Sequence, residues 1–265
     1  MGGMSLGPLA FSADRAPVAV AIVIALLVAG ILGRKSYEDL SSWLVLSLIF
    51  AAISGRLAFV LLNWSAFADS PLSILAFWQG GFNAIGAGVG LALVSVLYLR
   101  RRQPLWGPAA ATLFCAAMAW NITHQLTKGE DSYLPNQLQL MQLDGTPIAL
   151  EDWQNKPLVI NLWASWCPPC RREMPMMADV ASSEAEIPIL FINQGEGPTT
   201  IRRYLAQAGV FIPAIQDPGM QLMTHFEAMG LPATLFIGKD GKLQASHMGE
   251  ISRARLQAGI EALRP

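Results

Sequence analysis

Cys167 and Cys170 stand two residues apart inside residues 161–175, NLWASWCPPCRREMP. Two cysteines at this spacing, at the start of a helix that follows a strand, suit reversible disulfide chemistry: one sulfur attacks and the other resolves the mixed disulfide. Three cysteines in all cannot form a disulfide scaffold, so the pair reads as reactive rather than architectural. A zinc site would need two further ligands, and His124, His225 and His247 lack metal-ligand spacing. No metal is expected, and no cofactor beyond a redox-active Cys167–Cys170 disulfide.

The elements that must hold this pair are legible around it. Leu158–Trp163 is an apolar run suited to a central strand buried on both faces. Residues 171–183 are helix-compatible, with Met174, Met177, Ala178 and Ala181 spaced for one face. Cys167 then falls at a helix N-terminus, where unpaired N–H groups and the dipole favour a thiolate. It is expected to be the exposed, attacking sulfur, with Cys170 resolving one turn on. Pro168 fits the first helical turn, and Pro169 stiffens the dipeptide that helps set redox poise. Asp144-Gly145 marks a turn between short strands over 138–143 and 148–150. Residues 187–193 read as another strand and Pro198–Ala208 as a helix stopped by Gly209. Residues 219–229 read as an amphipathic helix carrying Leu222, Met223 and Phe226. Asp240-Gly241 signals a hairpin between 234–238 and 242–247, and 253–263 closes as a helix.

Composition splits the 265 residues into two halves. Residues 1–128 carry eight Lys/Arg and four Asp/Glu between long uncharged runs, whereas 129–265 carry ten and fifteen, spread as on a soluble surface. A hydrophobic content of 53% and a mean hydropathy of +0.39 are high for a soluble protein. The first half is responsible. A net charge of −1 gives no reason to expect nucleic-acid binding. Since about 20 apolar residues cross a bilayer, four transmembrane helices are expected near 16–33, 43–63, 81–99 and 106–123. The fold class expected is thus an α-helical membrane bundle over 1–123, a linker over 124–135, and an α/β domain over 136–265.

Loop charges give an orientation. Arg34 and Lys35 follow the first span and Arg100, Arg101 and Arg102 the third, while only Asp69 lies between the second and third. The positive-inside rule puts the basic loops in the cytoplasm and both termini outside. Arg15 argues weakly against this and is partly balanced by Asp14. The first span has no basic n-region and no A-x-A site, and Arg-Lys follows it, so a cleaved signal peptide is not expected. Cys115 in the fourth span is a lone cysteine and reads as a small hydrophobe, since an intramembrane thiol relay would need two.

Residues 158–175 (LVINLWASWCPPCRREMP) and 230–243 (GLPATLFIGKDGKL) resemble the TlpA/ResA branch of membrane-tethered, thioredoxin-like reductases. The likeness covers about 135–265, and the element order over that range is similar to a thioredoxin fold. It implies that Pro232, preceded by Leu231, is a cis-proline that packs against the cysteines and offers backbone for substrate pairing. It also implies that Glu173 moves protons for Cys170 and tunes its pKa; the alternative is a solvated residue in the first helical turns. Asn161 stands where ordinary thioredoxins carry a buried Asp, which shifts the proton-handling role toward Glu173. Trp163 and Trp166 either shield the site or simply pack.

The membrane half resembles the early part of bacterial prolipoprotein diacylglyceryl transferase, through GRLAFVLLNWSAF and PLSILAFWQGGFNAIGAGVG within residues 55–90. The likeness spans about 15–120. It breaks where that family carries a His before its glycine pair, since this chain has Ile85 before Gly86-Ala87. The later Gly-Arg-x-x-Asn-Phe segment has no counterpart. A truncated relative without transferase chemistry is the expectation, with Arg56, Asn83 and Asn63 as the polar groups inside. Arg56 and Asn83 are candidate lipid contacts, or Arg56 snorkels or pairs with carbonyls and Asn83. Gly86 and Gly90 form a small-residue face with Gly88 beside it.

Together these readings imply a bacterial inner-membrane protein whose thioredoxin-like domain reduces disulfides of exported proteins in the periplasm. The electrons would come from a DsbD- or CcdA-type membrane donor. Thiol oxidation by the same site, and a lipid-binding or lipid-modifying module with an accessory redox domain, stay open as alternatives.

Overall fold

The computed structural model describes residues 4–6, 9–11, 16–36, 39–68, 71–127, 132–135, 138, 140–148, 150–153 and 155–264. Asp14, Arg15, Asp69 and residues 128–131 of the expected linker lie outside the described residues. The chain forms two compact units, one helical within 2–129 and one α/β over Glu130–Pro265.

The helical unit follows a short strand pair, Met4–Leu6 with Leu9–Phe11. Its long helices are α1 (Ala16–Ser36), α2 (Asp39–Leu62), α3 (Ala84–Leu99) and α4 (Trp106–Thr127), with a five-residue helix, Trp64–Ala68, and short 3-10 turns between α2 and α3. Three of them are long and apolar enough to cross a membrane: Ala16–Gly33 within α1, Asp39–Leu62, and Gln103–Thr127. At 16 residues α3 is shorter, because Asn83 caps it and residues 81–83 precede the helix instead of opening it. The Asn83 side-chain oxygen accepts the Gly86 N–H at 2.9 Å, and its own N–H donates to Gly55 O at 2.9 Å. That stitches the start of α3 onto α2. A Cβ on Gly86 would meet Ser54 O at 2.9 Å, and one on Gly90 would meet Phe50 O at 2.7 Å. Gly88 faces nothing within 4 Å. The small-residue face is therefore the seam along which α2 and α3 approach backbone to backbone.

Arg56 on α2 is 9% exposed and is held by main-chain oxygens. Its Nε donates to Ile74 O at 3.1 Å, Nη1 to Gly81 O at 3.0 Å and Nη2 to Ser73 O at 3.0 Å. The guanidinium also lies 5.6 Å from the Phe67 ring centroid. A buried cation needs such partners, and the carbonyls of Ser73, Ile74 and Gly81 supply three.

The α/β unit is a seven-stranded sheet of β1 (Leu140–Gln142), β2 (Pro147–Ile148), β3 (Leu158–Trp163), β4 (Ile189–Gln194), β5 (Ala214–Asp217), β6 (Ala233–Ile237) and β7 (Leu243–Met248), in the order β2-β1-β5-β4-β3-β6-β7. β3 pairs parallel with β4 and antiparallel with β6. The helices are α5 (Pro168–Ser183), α6 (Pro198–Ala208), α7 (Gln221–His225) and α8 (Arg253–Glu261). All six β3 residues are buried, and alternation divides them between two cores. Val159 and Trp163 join the cluster containing Met174, Met177 and Leu256, while Leu158, Ile160 and Leu162 join that of Leu222, Phe226 and Leu235. By the same parity Asn161, Asn193 on β4 and Thr234 on β6 share the first face.

Two readings change. The helix expected over 219–229 is only α7, five residues long, because the backbone turns left-handed at Met220 (φ 50°) and at Glu227 (φ 47°). β5 has no counterpart among the expected strands. Its four residues, Ala-Ile-Gln-Asp, are too few and too polar to show a period, and burial comes from pairing to β4 and β1.

The α2–α3 seam predicts that Gly90→Leu weakens the helical unit while Gly88→Leu does not. Overpacking of this kind costs about 1–3 kcal/mol. Thermal unfolding of the full chain in detergent should show a lowered midpoint for the first variant alone.

Candidate active site

Strand β3 runs into Ala164-Ser165-Trp166, and α5 starts immediately after Cys167. Cys167 is the N-cap of α5, and its sulfur accepts the Cys170 N–H at 3.3 Å. Pro168 and Pro169 occupy the first helical positions, where the missing N–H costs nothing because those donors have no intrahelical partner. Cys167 and Cys170 are joined as a disulfide. Both cysteines are buried residues, Cys167 2% and Cys170 0% exposed, where the sequence led us to expect an exposed Cys167. The reason is packing, since both belong to the cluster of Trp163, Ala164, Met174 and Ile251.

Glu173 lies three residues beyond Cys170 and is 2% exposed, so it is not a solvated helix residue. One carboxylate oxygen accepts from Asn161 Nδ2 at 3.0 Å and the other from the Ile251 N–H at 2.9 Å. Asn161 Nδ2 also lies 3.4 Å from Thr234 Oγ1. Burial pushes the Glu173 carboxyl up to about 8, against the pull of the Ile251 N–H and the Asn161 amide. The Glu250 carboxylate adds to the rise and the Arg172 guanidinium opposes it; those two side chains pair at 2.7 Å. Desolvation wins because two neutral donors replace only part of a carboxylate's water shell.

The Leu231–Pro232 bond is cis. Pro232 is buried, and its carbonyl accepts the Gly249 N–H at 2.8 Å. Leu231 is half-buried and packs against both apolar clusters. The two tryptophans separate: Trp163 is fully buried and 5.5 Å from Tyr204, whereas Trp166 beside Cys167 is 67% exposed. Among the described residues no cluster of three or more metal-ligating side chains occurs.

Glu196, Thr234 and the Ile251 N–H were not singled out by sequence reasoning. Glu196 sits in the Gly195–Gly197 turn after β4 and clamps the approach to Cys167. Its carboxylate accepts the Ser165 N–H at 2.6 Å, the Ser165 hydroxyl at 2.5 Å and Asn193 Nδ2 at 2.7 Å. A Gly-Glu-Gly turn was visible as a turn, but nothing in it marked a partner 31 positions away. Thr234 lay inside the quoted GLPATLF segment, and strand parity could have flagged it. A backbone N–H carries no sequence signal.

Residues 134–246 match the model of the AhpC/TSA family, and residues 5–123 match that of prolipoprotein diacylglyceryl transferase. The two halves of the chain thus match two different family models. Among curated proteins, thiol-disulfide oxidoreductase ResA of Halalkalibacterium halodurans is 28% identical over 128 residues, which is 48% of this chain and 73% of that one. The ResA of Geobacillus thermodenitrificans is also 28% identical, over 48% of this chain and 74% of its own. Among solved structures, MTB dsbF is 26% identical and covers 49% of this chain and 99% of that one, at a TM-score of 0.45. Both of these curated relatives are named thiol-disulfide oxidoreductases, and the CPPC turn, the cis-proline and Glu173 lie within residues 134–246, which the AhpC/TSA model matches.

Two outcomes follow from this geometry. The folded carboxyl of Glu173 titrates near 8, against 4.5 for a free glutamate. The native state therefore holds an extra proton between those values, and its stability falls as pH rises from about 5 to 8. Glu173→Gln should flatten that slope, by up to a few kcal/mol across the window, in thermal unfolding of the disulfide form at stepped pH. Glu196→Ala strands three donors around Ser165 and should cost about 1–3 kcal/mol. Glu196→Gln, which can still accept the Ser165 N–H, should recover part of it in the same unfolding measurement.

Proposed function

We propose that this chain is a membrane-tethered thiol–disulfide oxidoreductase that works as a disulfide reductase on exported proteins. The observation that carries the reading is the pairing of a disulfide at the N-terminus of α5 with a protonatable, buried Glu173 one turn further along the same helix. The ResA relatives support the same reaction class.

In the dithiol form, the Cys167 thiolate attacks one sulfur of a substrate disulfide and releases the first substrate thiolate. The Cys170 thiol loses its proton to the Glu173 carboxylate, attacks Cys167 Sγ and releases the second substrate thiolate. Two electrons leave the protein, the Cys167–Cys170 bond forms, and the proton rests on Glu173. A carboxyl near 8 in the disulfide state suits that resting place. Asn161 and the Ile251 N–H orient the carboxyl in both charge states, and Glu196 holds the strand end from which Cys167 projects. Trp166 offers an exposed aromatic face beside Cys167 for an incoming polypeptide.

The helical unit is the tether. In this reading α3 is a fourth span, short for a bilayer of about 30 Å hydrocarbon thickness, and the Arg34–Lys35 and Arg100–Arg102 segments face the cytoplasm. Both termini and the thioredoxin-fold domain then lie in the periplasm of a bacterial inner membrane. That compartment is oxidising, so turnover requires a supply of electrons. The chain has one cysteine, Cys115, in its helical half, so a DsbD- or CcdA-type membrane protein is the donor. Apocytochrome c and oxidised thiols of partner proteins are substrates of the right chemistry.

Alkylation trapping in intact cells tests the direction. Cys167 and Cys170 should be found mostly as thiols while a donor is active; a pair that stays mostly disulfide-bonded would make the protein an oxidase. Cys170→Ser should accumulate mixed disulfides on Cys167, and the Cys167→Ser, Cys170→Ser double variant should accumulate none.

A further inference from the structure

Residues 249–251 link β7 to α8 as a turn whose two ends both reach the active site. Gly249 is left-handed (φ 89°), and its N–H meets the carbonyl of the cis-proline, Pro232, at 2.8 Å. The Ile251 N–H meets the Glu173 carboxylate at 2.9 Å. Glu250 stands between them and is engaged by α5: Arg172 Nε donates to Glu250 Oε2 at 2.8 Å, and Arg172 Nη2 lies 2.7 Å from the same oxygen. His247 Nε2 lies 3.2 Å from the Glu250 carbonyl and is the donor there, since a carbonyl oxygen can only accept. The turn is thus fastened at Glu250 from two sides, through its side chain by α5 and through its main chain by β7.

Arg172 and Glu173 are consecutive on α5, as are Glu250 and Ile251 in the turn. Two adjacent helix residues therefore grip two adjacent turn residues. The Glu250 side chain is 16% exposed, so this ion pair is better shielded from water than an ordinary surface pair. Gly249 gives the turn backbone freedom, because no Cβ restricts it, and the grip on Glu250 limits that freedom. The charged and titratable groups around Glu173 are Cys170 and Arg172 on its own helix, Glu250 in the turn, and His247 on β7, the register partner of Thr234. Strands β3 and β6 contribute the neutral Asn161 and Thr234, and Arg253 at the start of α8 pairs with Asp179. Glu250 then acts on Glu173 in two opposing ways. Its charge disfavours a second carboxylate nearby, while its grip presents an N–H that favours one. The N–H is the larger of the two influences.

We infer that Glu250 is a positioning residue for Glu173: paired with Arg172, it holds the 249–251 turn so that the Ile251 N–H stays on the carboxylate that serves Cys170. The inference rests on the reading that Glu173 exchanges a proton with Cys170.

The test is infrared titration of the full chain in detergent, in the disulfide form, following the protonated-carboxyl band that Glu173→Gln removes. In Glu250→Ala the turn loses its grip and the Ile251 N–H withdraws, so the Glu173 midpoint should rise by about half a pH unit or more. Glu250→Gln loses the charge but keeps an oxygen for Arg172, so its midpoint should fall below that of the wild type. A midpoint that falls in Glu250→Ala overturns the inference, because Glu250 would then act by charge alone. One that stays in place overturns it as well, because the packing of the buried Ile251 would then suffice to hold the N–H. Single-turnover reduction of oxidised glutathione at stepped pH separates this from the underlying reading. Infrared midpoints that shift as expected while the pH profile of turnover does not would uphold the positioning and defeat the proton exchange with Cys170.

Discussion

A carboxyl group placed inside an apolar core is the constraint on which the α/β unit depends. Glu173 is nearly sealed from solvent, and an unpartnered carboxylate there would cost several kcal/mol. The structure meets that cost with one side-chain amide, one main-chain N–H and a proton held up to a pH of about 8. Each of the three comes from a different element. Asn161 is on β3, Ile251 precedes α8, and Glu173 is on α5, so the carboxyl ties the central strand to the helices that cover it. A residue suited to proton transfer thereby also registers the helices against the sheet.

The same economy is seen on the other side of the cysteines. Glu196 is not sealed off, and its oxygens are occupied by Ser165 and Asn193. It fixes Ser165, two residues beyond the end of β3, where the chain leaves the sheet and enters α5 through Trp166 and Cys167. One carboxyl group therefore sits buried on α5 three residues beyond Cys170, and another holds the backbone leading into Cys167. Desolvation raises the carboxyl of the buried Glu173, whereas Glu196 serves as the acceptor for Ser165 and Asn193.

In the helical unit the corresponding constraint is a cation. Arg56 is held by the carbonyls of Ser73, Ile74 and Gly81, which fastens the segment between α2 and α3, built of short helical turns, to α2. Backbone that is not helical must find its hydrogen-bond partners within the protein wherever water is excluded. The glycine seam then brings α2 and α3 close enough for Asn83 to bond across it.

From the sequence alone came the cysteine pair, the strand and helix that flank it, the division into an apolar helical half and a mixed half, and the residues Asn161, Glu173 and Pro232. The cysteine pair, its flanking elements and the division are local signals, carried by spacing, period and charge count, whereas Asn161, Glu173 and Pro232 were marked by the resemblance of residues 158–175 and 230–243 to the TlpA/ResA branch. The length of α7 and the existence of β5 were not legible, because a left-handed residue at Met220 and the pairing of β5 with β4 and β1 are set by neighbours distant in sequence. Tertiary structure alone decided that Cys167 is covered, that Glu173 is buried rather than solvated, and that Arg56 binds carbonyls. It alone brought Glu196 to Ser165. The physical reason is common to all four: burial and hydrogen bonding depend on which segments meet, and no local pattern records the meeting of residues that lie tens of positions apart.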